Sequence, residues 1–239
     1  GTIDPAMYID NRDLTNQNDS DEFSISNLSI IDNGGLIIIG NNFLHDYITM
    51  NNIVIRNSGS MWLANVDISL SNIEMTDNHS FGIGYTFMDG CMNDGVNTCS
   101  ISIENAIISR NVGAGLLFQA TPLYSDNAKY FTDFSITNSE FSYNGGTGLV
   151  IEREGSPYLN NVNIIGNQDG GIYFMGGYDH DYPEIASPVL ENMLISDNYK
   201  EATGGSGAYA ADGGGILIRR INNEEHPIIL DNVVISNNY

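Results

Sequence analysis

The stretch NSEFSYNGGTGLVIE, residues 138–152, decides the fold. Asn138 opens it and Asn144 closes a six-residue interval with Phe141 in the middle. A Gly-led apolar run, Gly148–Ile151, follows. The interval recurs along the chain as NLSIIDN (Asn27–Asn33), NIEMTDN (Asn72–Asn78), NAIISRN (Asn105–Asn111), NVNIIGN (Asn161–Asn167), NMLISDN (Asn192–Asn198) and NVVISNN (Asn232–Asn238). NIVIRN (Asn52–Asn57) is one residue shorter. The opening asparagines lie 20 to 40 residues apart, so this is a repeat of variable period, the mark of a solenoid.

Each unit is preceded by alternating apolar residues, as in ISIEN (Ile101–Asn105) and FSITN (Phe134–Asn138). Most are followed by a Gly-led run such as GLIII, GLLFQ, GIYFM or GILIRR. Alternation at period two means strand. The pattern predicts about eight coils, each of three short strands and three turns. Strands this short form no stable sheet alone. Coils stacked at about 4.8 Å pair each strand with its equivalent one coil on, for a span of roughly 38 Å. Positions one and three after the opening Asn then point inward, from Leu28 and Ile30 to Val233 and Ile235, with Ser139 the one polar exception. In the Gly-led runs Leu36, Met61, Ile83, Leu116, Leu149, Ile172 and Ile216 point inward.

The asparagines are structural first. Asn tolerates left-handed backbone at a turn. Its amide can also bond the amide of the next coil, so Asn27, Asn52, Asn72, Asn105, Asn138, Asn161, Asn192 and Asn232 are expected to form a ladder along the stack. The glycines read as turn residues that need positive φ. Residues 1–7 read as a cloning remnant, 8–22 as a polar N-terminal segment or cap, and 23–239 as a single repeat domain that stops in mid-pattern.

The phrases LENMLISDN with GGGILI, and LDNVVISNN, resemble the right-handed parallel β-helix proteins of the pectate-lyase-like superfamily. In style they are nearest to the Asn- and Gly-rich solenoids of bacterial surface proteins and adhesins. The resemblance covers most of residues 23–239 and implies an all-β, right-handed parallel β-helix. It implies little about activity, because the superfamily spans lyases, hydrolases, phage tailspikes and adhesins.

With 30 acidic and 8 basic residues the net charge is −22. Such a surface repels nucleic acid and anionic lipid, and no apolar run is long enough to span a membrane. The acidity suits a salty extracellular setting. Cys91 and Cys99, the only cysteines, flank one Gly/Asn/Asp loop and are expected to pair in an oxidising compartment. The protein is therefore expected to be secreted or displayed at the cell surface.

Departures from the repeat fall in Met88–Ser100, Thr121–Thr132, Gly176–Ser187, Tyr199–Gly213 and Ile221–His226. Insertions of this kind line one edge of a solenoid, where function tends to sit. The Gly-led strands also turn an apolar stripe outward, through Ile37, Trp62, Gly84, Leu117, Val150, Tyr173 and Leu217. An isolated solenoid does not normally expose such a stripe, so a cover of loops or another segment is expected. Beside it runs a more polar row, Ile39, Ala64, Thr86, Gln119, Glu152, Met175 and Arg219.

Catalytic signatures are thin. The Gly-His-Gly and Arg-Ile-Lys motifs of the polygalacturonase-like branch are absent from the sequence. A glycosidase needs two carboxyls at a set separation, and Asp179 with Asp181, or Glu224 with Glu225, are the loop candidates. YDHDY (Tyr178–Tyr182) has residue types suited to acid/base or metal chemistry. Acidic turns such as NQDGG (Asn167–Gly171) offer oxygens of the kind calcium takes. Calcium is the one ion the sequence suggests, and no other cofactor is expected.

Two functions follow from these residues. The first is a non-catalytic binding or structural module that contacts carbohydrate or another surface protein through Trp62, Gln119, Tyr173, Tyr178 and Tyr182. The second is a polysaccharide lyase or glycoside hydrolase that draws on Glu152, Arg153, Asp179, His180, Asp181 and Arg219.

Overall fold

The structure is a computed structural model. It describes residues 5–10, 22–39, 47–64, 66–87, 92–93, 96–120, 130–152, 157–175, 188–199, 214–219 and 228–239. The strands alternate between two ladders. Sheet A holds β1 (Met7–Asp10), β3 (Leu36–Ile39), β5 (Met61–Ala64), β7 (Ile83–Phe87), β10 (Leu116–Ala120), β12 (Leu149–Glu152), β14 (Ile172–Met175) and β16 (Ile216–Arg219). Sheet B holds β2 (Glu22–Ile31), β4 (Tyr47–Arg56), β6 (Asp67–Thr76), β9 (Val96–Ser109), β11 (Tyr130–Ser142), β13 (Tyr158–Ile165), β15 (Val189–Ser196) and β17 (Ile229–Ser236). All these pairings are parallel, each strand beside its equivalent in the next coil. This is the parallel β-helix that the repeat predicts.

The second and third strands expected in each coil run on as one ladder. They meet at the opening Asn, which bends the chain in the left-handed region: φ is 57° at Asn27 and Asn52, 55° at Asn72, Asn105 and Asn161, 51° at Asn138, and 53° at Asn192 and Asn232. A second left-handed column stands just before the closing Asn of each unit, and at the closing Asn57 itself in the short one. It holds Asp32, Asn57, Asp77, Arg110, Tyr143, Gly166, Asp197 and Asn237. Arg and Tyr are poor choices for that conformation, so the stacking of neighbouring coils imposes it.

The two Asn columns do different work. The closing asparagines from Asn78 to Asn198 are buried and bonded one to the next. Asn144 is fully buried. Its Oδ1 accepts from the Asn111 backbone N–H at 3.1 Å and from Asn111 Nδ2 at 3.0 Å, while its own Nδ2 donates to Asn167 Oδ1 at 2.9 Å and to the Ile108 carbonyl at 3.2 Å. The same bonds repeat from Asn167 to Asn198 and from Asn198 to Asn238. Ser58 takes the Asn place in the short unit and donates its N–H to Asn78 Oδ1. The opening asparagines lie outside and bond intermittently. Asn52, Asn161 and Asn232 donate to Asn27, Asn138 and Asn192, but Asn72 and Asn192 reach Asn51 and Asn160 instead.

The glycines correct an expectation. Among the described glycines, positive φ occurs at Gly35, Gly166 and Gly170. The Gly that leads β7, β10, β12, β14 and β16 is there for room. A Cβ at Gly148 would lie 2.8 Å from the Gly171 carbonyl oxygen and 2.9 Å from Asn167 Nδ2, so a side chain would break the ladder where it passes under the next coil.

Inward positions are buried as the alternation predicts, from Ile53 and Ile55 to Leu190 and Ile195. Ser139 is buried among them with both bonding roles filled. Its Oγ accepts from the Ala106 N–H at 3.0 Å and donates to the Thr137 carbonyl at 2.7 Å. Aromatic rings stack through the middle coils: Tyr85 on Phe118 at 5.4 Å, and Phe118 edge-on to Phe134 at 5.4 Å. Burial pushes the Tyr85 phenol far above its usual range, and its hydroxyl donates to the Val66 carbonyl at 2.7 Å.

Three other sequence expectations change. Met7–Asp10, assigned to a remnant and a polar segment, is the edge strand of sheet A, because Met7 and Ile9 alternate inward against the core. Two insertions are shorter than expected: β9 starts at Val96 and β11 at Tyr130, where Tyr130–Asp133 pair with Asn97–Ser100. The expected Cys91–Cys99 bridge gains no support. Cys91 and the Cys99 side chain lie outside the described residues. The short strand β8 (Met92–Asn93) sets Met92 opposite Asn97 and Asn93 opposite Val96.

Asn144→Ala would strand donors and acceptors on both neighbouring coils and is expected to cost about 3 kcal/mol or more. Asn138→Gly, at an exposed left-handed bend, is expected to stay within about 1 kcal/mol, and Asn138→Val to cost about 1–2 kcal/mol. Urea unfolding followed by circular dichroism measures all three.

Candidate functional site

Sheet A places Trp62, Gln119, Glu152 and Tyr173 on one outer face. Along the stack the first outward column runs Tyr8, Ile37, Trp62, Gly84, Leu117, Val150, Tyr173 and Leu217. The expected apolar stripe is there, and much of it is covered. Leu117, Val150 and Tyr173 are at most 3 % exposed. They pack with Ala114, Phe81 and Leu217 into a second small core outside the solenoid. Tyr173, at 1 % exposure, offers no open ring face in this arrangement.

Trp62 is partly open, as are Ile37 and Leu217. Its indole lies over Gly84 on the next strand, where a Cβ would come within 2.3 Å of the ring. The glycine is thus the seat of the indole. Phe81 flanks it with ring centroids 6.5 Å apart.

The second outward column carries the polar groups. Thr86, Gln119 and Glu152 stand on three successive strands. Gln119 Nε2 donates to Glu152 Oε2 at 3.1 Å, and Glu152 is only 6 % exposed. Thr86 Oγ1 is buried without a hydrogen-bond partner. An orphan hydroxyl beside a half-buried amide, with a buried carboxylate one strand further on, marks a polar notch able to take a water or a ligand hydroxyl. Sequence reasoning put Thr86 in this row without singling it out, since only burial reveals the missing partner. Asp10 shares the column but lies five strands from Glu152, roughly 24 Å away, too far for a carboxyl pair.

Arg219 occupies the same column on β16, two strands beyond Glu152, and its side chain is not among those described. Arg153, Tyr178, Asp179, His180, Asp181 and Tyr182 lie outside the described residues, as do Glu224 and Glu225. Among the described residues, no group of three or more His, Cys, Asp or Glu side chains is placed to hold a metal ion.

Two arginines on the sheet B side are spent on neighbouring acids. Arg56 forms a two-pronged pair with Glu74 at 2.8 and 2.7 Å, and Arg110 with Asp77 at 2.8 and 2.9 Å. The Arg110 hydrogen bond holds the Asp77 carboxyl below its usual range.

Residues 121–239 match the family model described as the right handed beta helix region. No curated protein and no solved structure matches the chain. Among the described residues no helix is long and apolar enough to cross a membrane.

Two outcomes are expected. Gly84→Val would lift the only tryptophan off its seat and shift Trp62 fluorescence to the red, at a cost of about 1–3 kcal/mol in stability. For Asp77, the folded carboxyl titrates below the unfolded one. The pair therefore stabilises above the unfolded pKa, and that contribution is lost as pH falls through the lower folded pKa. Half-exposed, it is worth about 1 kcal/mol at most. A carboxyl NMR titration should show the Asp77 midpoint rising in Arg110→Gln.

Proposed function

Because this chain is a right-handed parallel β-helix protein, we propose that it acts as a non-catalytic binding or structural module of a secreted or cell-surface protein, of the adhesin or carbohydrate-binding type. The observation that carries this is the unbroken stack: both sheets pass in register from the first coil to the last, braced inside by the closing asparagines. A scaffold so evenly paired is suited to holding side chains at fixed spacing. Trp62, seated over Gly84, and the Thr86–Gln119–Glu152 notch offer an aromatic platform beside hydrogen-bonding groups, a combination suited to sugar. The net charge of −22 supports an extracellular setting, where calcium would be available to the acidic turns.

One observation favours the enzymatic alternative, a polysaccharide lyase or hydrolase. Glu152 is buried and steadied by an amide, as a general acid or base would be.

A single experiment separates them. The purified protein, with calcium, is offered a broad panel of neutral and acidic polysaccharides. Reducing ends and unsaturated products are followed alongside retention in affinity gels. Retention without product is the expected result, with retention lost in Trp62→Ala. Product formation that disappears in Glu152→Gln would replace the binding-module proposal with the enzymatic one.

A further inference from the structure

We propose that the corner between sheets B and A carries a second binding site, in which the ring of Tyr143 is the platform for a neutral pyranose sugar. Tyr143 is the anomaly of its column. Six of the eight left-handed positions there hold Asp, Asn or Gly, the residues that take this backbone most readily. Arg110 is explained by its two-pronged pair with Asp77 on the coil before. The stacking of coils imposes the bend at Tyr143 but does not call for a tyrosine. A bulky side chain kept at the surface on a strained backbone points to a use for that side chain.

The ring is seated as the indole of Trp62 is. The Tyr143 N–H donates to the Ile165 carbonyl at 2.8 Å, which sets Gly166 beside it on the next coil. A Cβ at Gly166 would lie 2.7 Å from both Cδ1 and Cε1 of the ring. The glycine lets the ring lie against the backbone, and Tyr143 still leaves 59 % of its surface in water. The polar neighbours repeat as well. Trp62 over Gly84 has Thr86 two residues further along the chain, and Tyr143 over Gly166 has the half-buried Gln168. The Gly166 N–H donates to the Ser196 carbonyl, so the exposed Asp197 comes next in the column.

An open ring followed by an amide and a carboxylate on the next two coils suits a pyranose, which has an apolar C–H face and a rim of hydroxyls. A protein partner would draw on a wider apolar patch, whereas the coil after Tyr143 offers Gly166 and Gln168. Charge narrows the sugar further. Arg110 is spent on Asp77, Asp197 is negative, and the chain carries −22 overall, so an anionic sugar is repelled.

The inference shares the carbohydrate reading above but not its site, and one titration reads the two separately. The intact protein is titrated with short neutral oligosaccharides and with an oligouronate. NMR follows the Tyr143 ring signals, assigned by their absence in Tyr143→Asn, and the Trp62 indole signal. Shifts at Tyr143 that saturate with neutral sugar and persist in Trp62→Ala are expected, with the oligouronate weaker by roughly tenfold. Tyr143→Phe should bind within about twofold of the wild type, because the ring is kept. Tyr143→Asn should unfold at the same or a higher urea concentration, because Asn suits the bend. Shifts at Trp62 alone would overturn this site and leave the sheet A site standing, and shifts at neither would overturn both. Tyr143 shifts that follow protein concentration instead of sugar would give the corner to a second copy and overturn the sugar. A lower urea midpoint in Tyr143→Asn, with no sugar-dependent shift in the wild type, would make the ring purely structural.

Discussion

A buried turn has to satisfy its own polar groups, and the rest of this structure depends on how that is done. Each coil changes direction next to the core, where backbone amides and carbonyls have no water to turn to. The closing asparagine answers with one side chain that serves three coils. Asn144 takes the Asn111 amide, supports the Ile108 carbonyl and donates to Asn167. Because each amide completes its neighbour, no single rung is stable in isolation. The leading glycines follow from the same requirement, since the ladder runs where a Cβ at Gly148 or Gly171 would sit.

Much of this was legible in the sequence, and the divide between what was and was not is physical. Period-two alternation is set by side-chain direction alone, so inward residues such as Ile55, Ile108 and Leu149 could be named from pattern. The bend at each opening asparagine was readable because Asn favours left-handed backbone. The companion column was harder to read, since Arg110 and Tyr143 carry no such preference among its Asp, Asn and Gly members. Which asparagine column is buried was equally hidden, because both have the same spacing and chemistry. For Met7–Asp10, the four residues are too few to show a repeat, and only their pairing with Leu36–Ile39 reveals the strand.

The outer face of sheet A shows the same divide. Alternation placed Trp62, Gln119, Glu152 and Tyr173 on one surface. It could not distinguish the partly open Trp62 from the buried Tyr173, because burial depends on what lies across the sheet. Nor could it show that Gly84 is a seat for an indole. The small core of Leu117, Val150 and Tyr173 makes the face more than a wall of the solenoid. It divides the surface into a packed apolar part and a polar notch around Thr86, whose unpaired hydroxyl is visible only in three dimensions.

The direction of the backbone hydrogen bonds has a mechanical consequence. The covalent chain winds around the rod, while the strand pairing runs along it. A pull along the axis therefore falls on hydrogen bonds and side-chain packing, and the peptide chain goes taut only after a coil has come away. Failure should proceed coil by coil, each released coil lengthening the tether by its own 20 to 40 residues. A protein built this way resists bending as a stiff bar yet yields to tension in steps, with the size of each step written in the lengths of its insertions.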